Sequence, residues 1–297
     1  MTGIIYHITV NKGGEALASS KRVEDMNYFE LIAWLGIGSS HPGGFPATRQ
    51  NLIALRLKAE DYVLDAGCGS GLTACYIAKT VGCKIVGIDI NPIMIEKAKK
   101  RAEKEGVSHL VRFEIADVYH LPYEENSFNV IVAESITVFL DKVNVYQEFY
   151  RVLKPHGKVA DLEMVLLKEL PLPIQKQMED CFGSGTNPLL YEEWINTLAD
   201  AGFEEVSIEN PQPMRNNSNT IISELKKDWL LLKDLPLKIK NQPGLYKRLQ
   251  RNANFMKKNL YYFGFGLITG CKPEPKQKPA LKIGIRKWFR NLFHKEK

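Results

Sequence analysis

The chain has 297 residues, of which 44% are hydrophobic and 25% charged, the balance of a globular protein with a buried core rather than a disordered or fibrous chain. No run of about 18 apolar residues occurs, which excludes a membrane-spanning helix, and Met1–Asn11 lacks the basic start and apolar run of a secretory signal, so a cytoplasmic setting is expected. Net charge is +6, but residues 272–297 alone carry +7, which leaves −1 on residues 1–271; a folded domain so close to neutral lacks the basic face that a nucleic-acid partner requires.

The five cysteines, Cys68, Cys75, Cys83, Cys181 and Cys271, show no metal-ligand spacing, so they are expected as reduced thiols and no metal site is expected. Residues 1–50 read as an N-terminal helical extension. Tyr28, Phe29, Leu31, Ile32 and Leu35 have helical apolar spacing, and the Gly-, Ser- and Pro-dense stretch 36–46 must be a loop. A second helix is predicted over Ala47–Leu57.

From there strands and helices alternate. Tyr62–Asp65 reads as a short buried strand, followed by a glycine turn and a helix over Leu72–Thr80. Lys84–Asp89 is the next strand. Asn91 and Pro92 open a helix that runs to Glu105 and stops at Gly106. Strands follow at Val111–Ile115 and Phe128–Ala133, then a helix over Val143–Leu153, a turn at Lys154-Pro155, and a strand over Lys158–Val165. A helix over Pro188–Ala201 ends at Gly202, before a strand at Phe203–Ile208. Residues 211–258 read as mostly helical, with an apolar cluster at Trp229–Leu232, and 260–269 as a last strand. This rhythm predicts an α/β fold with a doubly wound, mostly parallel sheet covered by helices.

The strongest local signal is Asp65-Ala66-Gly67-Cys68-Gly69-Ser70-Gly71, at a strand end where a helix begins. Glycines permit the tight turn and close approach of a ligand to the backbone, and the helix start offers free N–H groups. Four further segments extend it: Asp89-Ile90 at the end of the next strand, Ala116-Asp117-Val118 after the third, Glu134-Ser135 after the fourth, and Arg151–Lys158 at a helix-to-strand turn. An NAD dehydrogenase also pairs glycines with a later acidic residue, but its fingerprint lacks an acid at the position of Asp65 and lacks the Asp117 segment.

In this order the motifs resemble those of the class I S-adenosylmethionine-dependent methyltransferases, in the small-molecule group that includes quinone, sterol and glycine enzymes. The resemblance spans about Asn51–Phe203 and the terminal strand. It implies a seven-stranded Rossmann-like sheet with an antiparallel last strand and added helical caps. It also implies S-adenosylmethionine as cofactor, S-adenosylhomocysteine as product, and cofactor contacts by Asp65, Gly67, Gly69, Gly71, Asp89, Ile90, Asp117, Val118 and Ser135. Asp89 would accept the ribose hydroxyls and Asp117 the adenine amino group.

Because the sulfonium is already activated, such an enzyme chiefly aligns an acceptor and excludes water, and a general base helps only where the acceptor carries a proton. His41, in the loop His41-Pro42-Gly43-Gly44 where the resemblance places a lid, is the first candidate base, and Glu134 the second. Tyr28, His120 and Tyr123 are weaker candidates. Asp161 and Glu163 share one strand face and are read as marking a sheet edge. The Pro-Pro-Tyr motif of amino methyltransferases acting on nucleobases or Gln is absent after the fourth strand, where Glu134-Ser135-Ile136-Thr137 stands.

The resulting division places a lid at 1–50, a cofactor-binding core at 51–210 and 259–272, a helical insertion capping the substrate site at 211–258, and a linker and tail at 273–297. Lys272–Pro279 reads as extended linker. Beyond it, Leu281, Ile285, Trp288, Phe289, Leu292 and Phe293 form one apolar stripe flanked by Lys282, Arg286, Lys287 and Arg290, a pattern suited to peripheral contact of residues 281–294 with an anionic membrane. The expected function is methyl transfer to a small, hydrophobic or lipid-like acceptor. Peptide or protein methylation and a non-catalytic cofactor-binding module are the alternatives. The acceptor atom and the oligomeric state are not legible.

Overall fold

The computed structural model describes Val23, Met26, residues 28–35, Ile37, residues 41–215, Lys240, Gln242 and residues 244–275. The tail stripe 281–294 and the Trp229–Leu232 cluster lie outside these residues.

Eight strands form one sheet: β1 (Tyr62–Ala66), β2 (Lys84–Asp89), β3 (Val111–Ile115), β4 (Phe128–Glu134), β5 (Leu153–Leu166), the two-residue β6 (Leu189–Leu190), β7 (Glu204–Pro213) and β8 (Phe263–Cys271). The order is β3-β2-β1-β4-β5-β8-β7, with β6 beside β5. β1 to β5 are parallel, and β8 runs antiparallel between β5 and β7. This is the expected doubly wound, Rossmann-like, mostly parallel sheet with an antiparallel last strand; β6 is the addition. Parallel strands are covered on both faces, which is why their sequences are continuous Val, Ile and Leu runs rather than alternations.

On one face lie α2 (Gly44–Leu55), α3 (Leu72–Val81) and α4 (Pro92–Glu105), over Val63, Ile85, Val130 and Val132. On the other lie α5 (Lys142–Val152) and α7 (Tyr191–Asp200), over Leu64, Val86, Ile131 and Val159. Each fully buried Leu, Ile or Val contributes roughly 1.5–3 kcal/mol. Helix ends follow local chemistry. Asn91 caps α4 by accepting the Ile93 N–H at 2.9 Å, and Gly106 closes it with φ 73°. Asp141 caps α5 through the Asn144 N–H.

Among the described residues the remaining α-helices are α1 (Tyr28–Leu35), α6 (Leu172–Phe182) and α8 (Gly244–Asn259). α8 lies against α6, and Leu31, Leu35 and Leu245 share a small core. A chain of rings, Tyr28–Phe139, Tyr28–Phe182, Phe182–Phe255 and Phe255–Phe263, has centroid separations of 6.0, 5.3, 5.9 and 6.2 Å. It joins these helices to the segment after β4 and to β8.

Several sequence expectations need correction. α2 starts at Gly44, inside the stretch 36–46 read as loop, and Leu189–Leu190, read as the start of a helix, form β6 beside β5. β7 continues through Pro213, so 211–213 is strand, paired to Phe265 and Gly264 of β8, rather than helix. α6 was not anticipated. β5 starts at Leu153, through the segment read as a turn, because the Phe128–Leu153 pairing and the later Val130–Lys158 pairing are joined across an irregularity. Lys272 is not linker. Its side chain is buried, and its Nζ donates to the carbonyls of Leu153 at 2.7 Å and Tyr150 at 2.8 Å, since the last carbonyls of α5 have no helical partners and attract a cation.

Candidate active site

The order reverses between β1 and β4, and at such a switch point a crevice opens beyond the carboxyl ends of the strands. The glycine turn after β1, Asp89 at the end of β2, and Glu134-Ser135 at the end of β4 all converge there.

Three glycines of the turn have left-handed backbone, with φ 72°, 52° and 75° at Gly67, Gly69 and Gly71. The need is greatest at Gly71, where a Cβ would lie 2.7 Å from Phe113 Cζ and 2.8 Å from Ala98 Cβ. At Gly67 a Cβ would collide with the Ile136 side chain. The turn is tied down from below: the Cys68 N–H donates to the Ile88 carbonyl at 2.8 Å, and Arg101, buried on α4, donates through Nε to the Ser70 carbonyl at 2.9 Å.

Asp89 accepts the Gly69 N–H at 3.0 Å on one oxygen and the Asn91 N–H at 2.8 Å on the other. Burial nonetheless raises its pKa above the usual carboxylate value, against those two bonds. Ile90 beside it is half exposed. Asp117 accepts the Tyr119 N–H at 3.0 Å in the turn after β3, next to the half-buried Val118. Ser135 takes a left-handed φ of 57°, and its N–H donates to the Leu162 carbonyl at 2.9 Å.

Asp65 is 2% exposed, and its Oδ2 has no hydrogen-bond partner among the described residues. Burial, and after it the charge of Glu134, push its pKa well above the usual value. A buried carboxyl with an orphaned oxygen, beside a second carboxylate and below glycines without side chains, fits a ligand that brings positive charge and donors. S-adenosylmethionine, with an ammonium, a sulfonium and ribose hydroxyls, is such a group. Asp65, the glycine turn and Asp89 are the residues that would hold it.

His41 and Glu134 meet. The imidazole is buried, with Nε2 3.8 Å from Glu134 Oε2. Its Nδ1 lies 3.1 Å from the Pro42 carbonyl. A carbonyl only accepts, so Nδ1 carries a proton, and Nε2 is the nitrogen that would hold the lone pair of a neutral ring. The Thr48 hydroxyl lies 3.0 Å from that nitrogen, and the Thr73 hydroxyl donates to Glu134 at 2.6 Å. His41 is placed because α2, which starts at Gly44, packs Ala47 against Ala160, Leu162, Phe265 and Leu267 of the sheet. Thr48 and Thr73 escaped sequence reading. The usable signals were Thr48 in the helix that follows the His41 loop and Thr73 in the first turn of the helix after the glycines.

The weaker candidates lie apart. Tyr123 donates to Glu114 at 2.6 Å, which together with burial holds its phenol proton tightly. His120 is exposed, and Tyr28 belongs to the aromatic chain. Asp161 and Glu163 do not mark an edge: both are fully buried on β5, between β4 and β8. Strand β8, distant in sequence, covers what would otherwise be the edge. Among the described residues no cluster of three metal-ligating side chains occurs, and no helix is long and apolar enough to cross a membrane.

Comparison with known proteins gives the family and the fold. A family model described as a methyltransferase domain matches residues 57–202. An uncharacterized methyltransferase of Bacillus subtilis, YodH, is 35% identical over 249 residues, covering 82% of this chain and 99% of that protein. A sterol 24-C-methyltransferase of Pneumocystis carinii is 39% identical over 126 residues, 41% of this chain and 33% of that one. Among solved structures, Haemonchus contortus phosphoethanolamine N-methyltransferase 2 in complex with S-adenosyl-L-methionine has a TM-score of 0.65 at 21% identity, covering 85% of this chain and 59% of that one.

Proposed function

We propose that this chain, which belongs to the class I S-adenosylmethionine-dependent methyltransferases, methylates a small, largely apolar acceptor with His41 as the base. When bound, the cofactor supplies a methyl group already activated on a sulfonium. The work left to the chain is to bind, orient, exclude water and accept a proton.

Binding falls to the glycine turn and the carboxylates. Each Asp89 oxygen accepts one backbone N–H and keeps lone pairs for the ribose hydroxyls. Asp117 and Val118, with the half-exposed Ile90, are the residues that would flank the adenine, and Ser135 directly follows β4. Asp65 and Glu134 would offset the cofactor's positive charge.

Proton transfer falls to His41. The single observation that carries this is a buried imidazole whose Nε2 lies 3.0 Å from the Thr48 hydroxyl and 3.8 Å from Glu134. As the acceptor's proton moves to Nε2, Glu134 at 3.8 Å stabilises the imidazolium, and the Thr48 hydroxyl turns from donor to acceptor. The apolar acceptor is supported by the rings of Tyr28, Phe182 and Phe255 on the added helices, which gather with Phe139 of the segment after β4. The relatives act, by their names, on small molecules including a sterol, arsenite and phosphoethanolamine.

The test is turnover of radiolabelled cofactor with quinones, sterols and other lipid-like acceptors. Transfer to one of them, lost in His41→Ala with cofactor binding retained, supports the reading. Full turnover in His41→Ala removes the base role, and transfer only to peptides removes the acceptor class. Contact of residues 281–294 with an anionic bilayer is proposed with it. Co-sedimentation with anionic vesicles by the full chain, lost when 273–297 is deleted, is the expected result.

A further inference from the structure

Behind the site, on the face of the sheet opposite His41, lies a second polar cluster that the chemistry above does not use. Asp161 and Glu163 project from β5 with no exposure at all. The Thr137 hydroxyl lies 2.6 Å from Asp161 Oδ2 and 2.9 Å from Glu163 Oε1. The Tyr146 hydroxyl donates to Asp161 Oδ2 at 2.8 Å, and the Val138 N–H to Glu163 Oε1 at 3.1 Å. Asp161 Oδ1 has no partner among the described residues.

Donor counting fixes the protonation of this cluster. A threonine hydroxyl has one hydrogen and can donate to only one carboxyl oxygen. Its contact with the other is a hydrogen bond only if that carboxyl brings a proton of its own and donates to Thr137 Oγ. Two ionised carboxylates against one hydroxyl would leave an oxygen–oxygen contact without a hydrogen, and two buried like charges.

We propose that Asp161 and Glu163 share one proton at neutral pH, and that the protonated pair is a positioning device for the segment after β4. Thr137 and Val138, which it holds, directly follow Ser135 and Ile136. Ile136 lies against Gly67 of the glycine turn. The pair therefore sets the wall of the cofactor site through this segment, without touching the cofactor. The inference rests on the glycine turn being that site.

The surroundings agree. Burial comes first for both groups, raising Asp161 to about 7 and Glu163 to about 8. Glu134, at the end of β4, adds to the rise at Asp161. From α5, Tyr146 donates to Asp161, while Lys142, buried over the Trp194 ring at 5.2 Å, favours ionisation of both. Burial in turn lowers the pKa of Lys142. Since the pair's folded pKa values lie above the unfolded ones, its contribution to stability is present at low pH and lost as pH rises through them.

The test has two arms, one independent of the cofactor. Infrared difference spectra of unliganded wild type minus Glu163→Gln, near neutral pH, should show a protonated-carboxyl band. Its absence overturns the shared proton. S-adenosylhomocysteine affinity should fall by up to about tenfold per pH unit once pH exceeds the pair's titration, because the competent wall needs the proton. In Glu163→Gln, whose amide supplies a permanent hydrogen, this fall above neutral pH should be absent. The same profile in wild type and variant overturns the positioning role. Should Glu163→Gln fail to fold, Asp161→Asn carries both arms. No S-adenosylhomocysteine binding at any pH, with the band present, would instead fault the cofactor reading and leave the shared proton standing.

Discussion

The two halves of the molecule are built by different means. In the cofactor half, β1 to β3 with α3 and α4, the site is made of backbone: left-handed glycines, N–H groups donated to Asp89, a carbonyl held by Arg101. In the half proposed to hold the acceptor, α1, α6 and α8 with β8, the structure is made of side chains brought from distant parts of the chain, such as Tyr28, Phe182 and Phe255. Backbone sites demand particular residues at particular spacings. Side-chain walls demand only volume and apolarity, which many sequences satisfy. His41 and Glu134 sit on the seam between the halves.

Substitutions can sharpen or break that contrast. The largest effect is expected on the seam: His41→Ala should lower kcat by roughly 10²–10⁴-fold, the usual range for a general base. Stopped assays at saturating cofactor and acceptor check it. A smaller, structural effect is expected in the backbone-built half. Gly71→Ala combines a positive φ of 75° with contacts of 2.7 and 2.8 Å to Phe113 and Ala98. It should cost about 2–4 kcal/mol of stability by the strain of a left-handed residue and of overpacking, read by thermal or urea unfolding. An unchanged midpoint would mean the turn is not as tightly built as described.

A pH effect comes next. Asp65 has a pKa raised by burial and by Glu134, so below that value the free site holds a proton that a cationic ligand must displace. Cofactor affinity should rise with pH, by up to about tenfold per unit below the raised value, and then level off until the Asp161–Glu163 pair titrates. Asp65→Asn should remove the slope. The smallest effect belongs to the acceptor half. Phe182→Ala should raise acceptor KM by roughly tenfold, about 1–3 kcal/mol of lost apolar contact, while leaving cofactor affinity alone. A loss of cofactor affinity in that variant would erase the distinction between the halves.

The same contrast explains what could be read in the sequence. Strands β1 to β4 and helices α3 to α5 were legible to within two residues, because glycine turns, the Asn91 cap and the Gly106 stop are local signals. The meeting of His41 with Glu134 was not, since 93 positions separate them and only the packing of α2 joins them. Helix α6 was missed because Pro171 and Pro173 flank its start and its buried positions, Met178 and Cys181, are too few to show a period. Asp161 and Glu163 looked like edge residues because acids are rare inside sheets. Their partners Thr137 and Tyr146 lie 15 to 26 positions away, on other elements, and the covering strand β8 lies about 100 positions on.

The most direct test of the account is calorimetric titration of S-adenosylmethionine into the wild type, Asp89→Ala and His41→Ala. The account predicts one site in the wild type, a loss on the order of a hundredfold in Asp89→Ala from two forfeited charge-assisted hydrogen bonds, and near wild-type affinity in His41→Ala. Equal losses in both variants, or full binding in Asp89→Ala, would contradict it.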